Sequence, residues 1–217
     1  MSEITYEYIR EYLMAIEPDE NSLLNNIRED AIKKNVPIIK SEVKNLLRCM
    51  LAVKKPKMIL EIGTAVAYST IIMSDFIDES GKIITIERSN EMIEKAKKNI
   101  KLANKEDKIT LLEGDASKIL PSLTESFDVI FMDAAKGQYL TFYPECLRLL
   151  KKDGLLISDN VLQNGMVAKS RFSIPRRQRT IHNRMRQYLW ELNHNPNLQT
   201  SILPIADGVT LSYKKCD

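Results

Sequence analysis

Residues 58–70 read MILEIGTAVAYST: a short apolar run, a glycine at 63, and then Tyr68-Ser69-Thr70 opening a helical segment. An apolar run that turns at a glycine and enters a helix is the first half of a strand–helix–strand unit. The same rhythm recurs downstream. KIITIE (82–87), KITLLEG (108–114), FDVIFMD (127–133) and GLLISDN (154–160) are further short apolar runs. They are apolar on both sides, as strands buried between two helical layers must be. The intervening stretches 90–104 and 139–150 have helical periodicity. Five strands with helical crossovers predict an α/β fold with a doubly wound, mostly parallel sheet. Near the end, LQTSILPI and GVTLSYKK flank Ala206-Asp207-Gly208. Asp-Gly between two alternating runs signals a hairpin, so the sheet is expected to finish in an antiparallel pair.

Upstream of residue 58 the pattern is helical. Ile4, Tyr8, Tyr12 and Ile16 recur at helical spacing. A polar helix is expected over 19–34. Val36-Pro37 closes it, because the residue before proline avoids the helical region. A third helix over 41–53 places Val43, Leu46, Leu47 and Met50 on one face. Residues 1–55 thus read as an N-terminal helical cap on a core of 56–217, all within one domain. A length of 217 residues suits a single core, and no repeat or linker interrupts it. No apolar run approaches the roughly 18 residues of a membrane span. The opening residues carry acids too early for a signal peptide. Cys49, Cys146 and Cys216 form no CxxC pair, so neither a disulfide frame nor a zinc site is indicated. A reducing cytoplasm is the expected compartment.

In an open parallel sheet, ligands bind beyond the carboxyl ends of the strands. Gly63 lets the first turn tighten and approach a ligand. Ser69 and Thr70 follow in the first turn of a helix, whose free N–H groups suit polar ligand atoms. A nicotinamide-dinucleotide fingerprint would need glycine at 63, 65 and 68, but Ala65 and Tyr68 stand there. Glu87 ends the second strand, where a carboxylate can accept both hydroxyls of a ribose. It can equally cap the next helix. Asp115 follows the third strand and can face an adenine amino group or serve as a helix N-cap. Together these strand-end acids favour a bound adenosine. The fourth strand ends in Asp133 and the fifth in Asp159-Asn160. Two carboxylates and an amide form a hard, all-oxygen set suited to Mg²⁺.

These stretches resemble the cation-dependent O-methyltransferases, the group that includes catechol and caffeoyl-CoA O-methyltransferases. VPII, LEIGTAVAYS, IER, GDA, DAAKGQY and SDN carry the likeness, which runs from about Val36 onward. The resemblance implies a Rossmann-like class I methyltransferase fold and transfer of a methyl group from S-adenosylmethionine to a substrate oxygen. It implies that Ile39, Glu61, Gly63, Ser69, Glu87, Asp115, Ala116 and Asp133 bind S-adenosylmethionine. It places Mg²⁺ on Asp133, Asp159 and Asn160, and the catalytic roles on Asp133 and on Lys136 as general base. One position departs from the family, which usually has glycine where this chain has Ala67. Alanine disfavours positive φ, which puts cofactor affinity in question there.

The charge distribution points to the substrate. Of 32 Lys and Arg, seven lie between Lys169 and Arg186 with no acid among them, leaving 25 against 29 acids elsewhere. That imbalance favours a local anionic contact. Ser173 and Pro175 suit a helix start. From there Ile181, Met185, Tyr188, Leu189 and Leu192 make an apolar face, with Arg176, Arg179 and Arg186 opposite and Arg177 and Arg184 at the border. Arg171, Arg176, Arg177 and Arg179 are the expected phosphate contacts, and Phe172 can stack on a splayed base. The segment also resembles bacterial members of the family that methylate 5-hydroxyuridine at the tRNA wobble position, giving 5-methoxyuridine. That base presents two neighbouring oxygens, as a catechol does. The expected partner is therefore tRNA at its anticodon region. A catechol-type or CoA-linked small substrate is the alternative, and a non-catalytic RNA-binding protein a third reading. Family members often pair, so a homodimer is expected.

Overall fold

The computed structural model describes residues 4–216. Seven strands form one sheet in the order β3-β2-β1-β4-β5-β7-β6. These are β1 (Met58–Ile62), β2 (Lys82–Glu87), β3 (Ile109–Glu113), β4 (Phe127–Met132), β5 (Leu150–Ser158), β6 (Leu198–Leu203) and β7 (Val209–Lys214). The first five pair in parallel. β7 pairs antiparallel with both β5 and β6, so the expected hairpin folds back onto the parallel sheet.

Alternating residues of each strand feed two cores. Ile59, Ile83, Val129, Phe131 and Ile157 face one layer, and Leu60, Ile86, Ile130, Met132 and Leu156 face the other. The first layer holds α2 (Ser22–Lys33), α3 (Ser41–Lys54), α4 (Tyr68–Ser74) and α5 (Asn90–Leu102). The second holds α6 (Ala116–Ile119), α7 (Tyr139–Leu149) and α8 (Arg179–His194). Two-sided burial explains why the strands read as unbroken apolar runs. Leu24, Ile27, Val43 and Leu47 pack in the same core as β1 and β4, so α2 and α3 are integral to that layer. The preceding helix, α1 (Glu7–Ala15), contributes no buried residue. Tyr8, Tyr12 and Ile16, which recur at helical spacing, are exposed.

Three boundaries differ from the sequence reading. β5 begins at Leu150, four residues early, because Leu150 pairs with Phe127 before a register shift around Asp153, whose φ is 62°. α2 begins at Ser22, with Asn21 accepting the Leu24 N–H as its cap. α8 begins only at Arg179, not at 173–175. Pro175 keeps Ile174 extended, and residues 171–173 and 176–178 make separate 3-10 turns. On α8 the buried stripe is His182, Met185, Tyr188, Leu189 and Leu192. Ile181 is exposed, and His182 is fully buried with Nε2 3.1 Å from the Lys169 carbonyl oxygen.

Candidate active site

Parallel pairing brings the carboxyl ends of the central strands to one edge, where a cavity of about 640 Å³ opens. Such a volume suits a cofactor-sized ligand. Gly63 lines it with φ 104°, and a Cβ there would stand 2.1 Å from the Asp133 carbonyl oxygen. Only glycine allows β1 and β4 to diverge so closely into their turns. Gly63 N–H and Thr64 N–H both donate to the Ile86 carbonyl, at 3.0 and 3.3 Å.

Of the residues expected to bind the cofactor, Ile39, Gly63, Ser69, Glu87, Asp115, Ala116 and Asp133 line this cavity together. The Glu87 carboxylate is oriented by three backbone donors: Ala65 N–H to Oε2, and Arg88 and Ser89 N–H to Oε1, each at 2.9 Å. It therefore faces the cavity and braces the next helix at once. Asp115 combines two positions. It lines the cavity, and its Oδ1 accepts the Ser117 N–H as the cap of α6.

Glu61 is the exception among the expected cofactor residues. It is fully buried beneath the turn and does not line the cavity. Its oxygens accept Ser69 Oγ at 2.5 Å, Thr85 Oγ1 at 2.6 Å and the Thr70 hydroxyl. Burial pushes its carboxyl up to about 7, against the lowering effect of those three hydroxyls. Because Glu61 is an odd-numbered β1 residue, its side chain points into the layer of α4, and it supports Ser69 from below.

Asp133 and Asp159 stand at adjacent strand ends. Asp133 N–H donates to the Ile62 carbonyl and Asp159 N–H to the Met132 carbonyl, both at 3.0 Å. Asn160, at φ 60°, donates its backbone N–H to Asp159 Oδ1 at 2.6 Å and its side-chain amide to Asp133 Oδ1 at 2.8 Å. Tyr139, opening α7, donates its hydroxyl to the Asp159 carbonyl at 2.9 Å and locks the two strand ends together. Burial raises both carboxyl groups above the usual range, and their mutual repulsion raises Asp159 further. Neither makes a salt bridge within the described residues.

Two buried acids that make no salt bridge among the described residues, beside an amide whose oxygen accepts no hydrogen bond there, fit a divalent cation in chemistry. No group of three or more His, Cys, Asp or Glu side chains gathers as a metal site among the described residues. The candidate set is two carboxylates and an amide. Lys136 follows in a 3-10 turn, lines the cavity, and acts through space to lower both Asp133 and Asp159.

One cavity residue was read in the sequence only as a turn. Asp207 lines the cavity and pairs with Lys40 at 3.0 Å. Ser158 pairs with Thr210, so the β6–β7 turn lands beyond the carboxyl end of β5. A strand antiparallel to β5 must begin where β5 ends, and that was the available signal.

The arginine segment lies outside the cavity lining. Arg171, Arg176 and Arg177 are exposed, as is Phe172 at 87%. Arg179 and Arg186 are less free than expected. Arg179 Nε donates to the Ile174 carbonyl at 3.1 Å, and Arg186 Nη1 to the Lys169 carbonyl at 3.4 Å. Arg184 instead reaches the active-site turn, donating to the Gly137 carbonyl at 3.0 Å.

A family description of O-methyltransferases matches residues 14–215. The chain belongs to the O-methyltransferase family. Among the relatives of this O-methyltransferase, a caffeoyl-CoA O-methyltransferase of Eucalyptus gunnii is 31% identical over 97% of the chain and 87% of its own length. A Staphylococcus aureus crystal structure, whose caffeoyl-CoA O-methyltransferase assignment is itself provisional, is 32% identical with a TM-score of 0.88. That match covers 96% of this chain and all of the other, 100%. A Bacillus cereus O-methyltransferase, solved with S-adenosylhomocysteine, has a TM-score of 0.85 at 23% identity over 96% of this chain and 97% of its own, a likeness of fold. This O-methyltransferase thus has the class I fold that its sheet order describes.

Proposed function

We propose that this O-methyltransferase transfers the methyl group of S-adenosylmethionine to 5-hydroxyuridine at the tRNA wobble position, giving 5-methoxyuridine. The observation that carries this reading is the exposed Arg171-Phe172 and Arg176-Arg177 stretch. It is tied to the turn bearing Lys136 through Arg184 and Gly137. Exposed arginines suit phosphates, and an exposed aromatic ring suits an unstacked base. Glu87 would receive the ribose of the cofactor, Asp115 and Ala116 its adenine, and Ile39 and Ser69 its amino-acid end. Asp133, Asp159 and Asn160 would hold a divalent cation such as Mg²⁺, which when bound would acidify and orient the attacking hydroxyl. In its neutral form Lys136 would take the hydroxyl proton as the substrate oxygen bonded to the methyl carbon and the sulfur–methyl bond broke, with S-adenosylhomocysteine as the leaving group. Much of the rate is orientation, since the sulfonium is already an activated donor.

The relatives favour a second reading, a CoA-linked or catechol-type substrate with the arginines on its phosphates. Nucleoside mass spectrometry of tRNA from a deletion strain separates the two. The tRNA reading expects 5-methoxyuridine to vanish and 5-hydroxyuridine to accumulate. Unchanged 5-methoxyuridine would overturn it.

The working form is proposed to be a homodimer. A helix of nine residues does not hold in water unsupported, and α1 exposes Tyr8, Tyr12 and Leu13. A second copy, covering the same face by two-fold symmetry, is the simplest closure. The proposed compartment is the cytoplasm, which suits three free cysteines. Among the described residues no helix is long and apolar enough to cross a membrane.

A further inference from the structure

Ala67 places a Cβ in the turn between β1 and α4. It adopts φ 65°, ψ 23°, is completely buried, and precedes α4 without a side-chain cap. L-residues disfavour that conformation, so the surrounding structure must impose it. Part of the restraint is local. Ala67 N–H donates to the Thr64 carbonyl at 2.8 Å, and Asn99 of α5 donates to the Val66 carbonyl at 2.9 Å.

The rest comes from the far end of the chain. Tyr68, next to Ala67 and lining the cavity, places its hydroxyl 3.0 and 2.8 Å from the two oxygens of Glu20. Glu20 also accepts Lys44 Nζ at 2.8 Å, and Lys44 reaches Glu17 at 3.1 Å. Asn45 donates to Glu17 at 2.6 Å. The side chains of Lys44 and Glu20 are only 3% and 5% exposed. A buried ion pair contributes little net stability over an apolar pair, but it specifies one arrangement closely. This one joins the segment before α2 to α3 and, through the Tyr68 hydroxyl, to the first residue of α4.

We propose that Glu20 and Lys44 are positioning residues for the cofactor turn, clamping Tyr68 so that Ala67 is held in the left-handed conformation that cofactor binding needs. The inference rests on the reading that the cavity takes S-adenosylmethionine. Without the clamp the turn relaxes, only a fraction of molecules is competent, and apparent affinity falls by that fraction. A glycine at position 67 removes the strain, and with it the need for the clamp.

The test is a cycle of Tyr68→Phe and Ala67→Gly, with Glu20→Ala as a second way to open the clamp. Calorimetry would read S-adenosylhomocysteine affinity, and hydrogen exchange the backbone amides over 64–70. In the wild-type background, Tyr68→Phe should weaken binding on the order of tenfold and speed exchange in that segment. In the Ala67→Gly background the same change should cost less than about twofold. Equal losses in both backgrounds would mean that the hydroxyl acts on the ligand directly, and would overturn the proposal. So would unchanged binding and exchange in Tyr68→Phe and Glu20→Ala. A wild-type protein that bound no S-adenosylhomocysteine would refute the cofactor reading instead, and the exchange cycle alone would then decide the clamp.

Discussion

At the scale of single residues, the carboxylates are divided by their surroundings. Glu61 is buried among hydroxyls, and its folded value of about 7 lies above its ordinary 4.5. A raised carboxyl favours the protonated folded state. Its contribution to stability is whole below pH 4.5 and is lost as pH rises through 7. The shift corresponds to roughly 3 kcal/mol. Chemical denaturation of wild type between about pH 5 and 8 should therefore show stability falling, and Glu61→Gln should flatten that slope. Asp133 lines the cavity and Asp159 is buried next to Asn160, which also lines it, whereas Glu61 is enclosed by hydroxyls. If they hold a cation, millimolar Mg²⁺ should raise the melting temperature of wild type and leave Asp159→Ala unmoved. Activity on the substrate should fall more than about 100-fold in that variant. Equal Mg²⁺ stabilisation of both proteins would remove the metal assignment. These residues were readable because each acid ends an apolar run, where a parallel sheet delivers its side chains to one edge. Glu61 was not readable as a support, since its role depends on which face of β1 lies under α4. Glu20 and Lys44 were silent for a similar reason, because charges on polar helices are ordinarily solvated.

At the scale of elements, strands were legible and irregular backbone was not. The apolar runs located β1 to β4 within a residue or so, and Asp-Gly located the terminal hairpin. The early start of β5 depends on a register shift that no periodicity reports. α8 shows how two local signals can mislead. Ser173 and Pro175 are good helix openers, yet proline holds its predecessor extended, and two 3-10 turns intervene before Arg179. The difference bears on the proposed tRNA contact. Arg176 and Arg177 sit on a turn ahead of the helix and are exposed, whereas Arg179 and Arg186 are engaged with nearby carbonyls. Replacing Arg176 and Arg177 by alanine should weaken tRNA binding about uniformly across sequences and lower its salt dependence by roughly two units of slope. S-adenosylhomocysteine affinity should be unchanged in the same protein. Filter binding across a salt series checks the first and calorimetry the second.

For the whole molecule, the sequence carries the strand count and the kinds of connection, while the order in which the strands lie is given by the structure. Nor does the sequence carry the fate of α1. Ile4, Tyr8, Tyr12 and Ile16 have the spacing of a packed face, yet Tyr8, Tyr12 and Ile16 are exposed and only Ile4 is half-buried among the described residues. Spacing reports amphipathicity and is blind to whether the cover lies in the same chain. Light scattering should give twice the chain mass for wild type, and Tyr8→Glu with Tyr12→Glu should give the monomer. A wild-type monomer at micromolar concentration would end the dimer proposal.

The position of β7 has a bearing on how the protein is made. It is the last strand of the sheet in chain order, yet it lies inside the sheet, between β5 and β6. During synthesis β5 therefore waits as an open edge, with Leu155, Leu156 and Ile157 in its exposed row, until the final strand inserts. The same insertion carries Asp207 to the cavity. A nascent chain stalled before residue 209 would be both prone to pairing with a stranger's edge and short of one wall of the cavity. Completion of the sheet and completion of the site are one event.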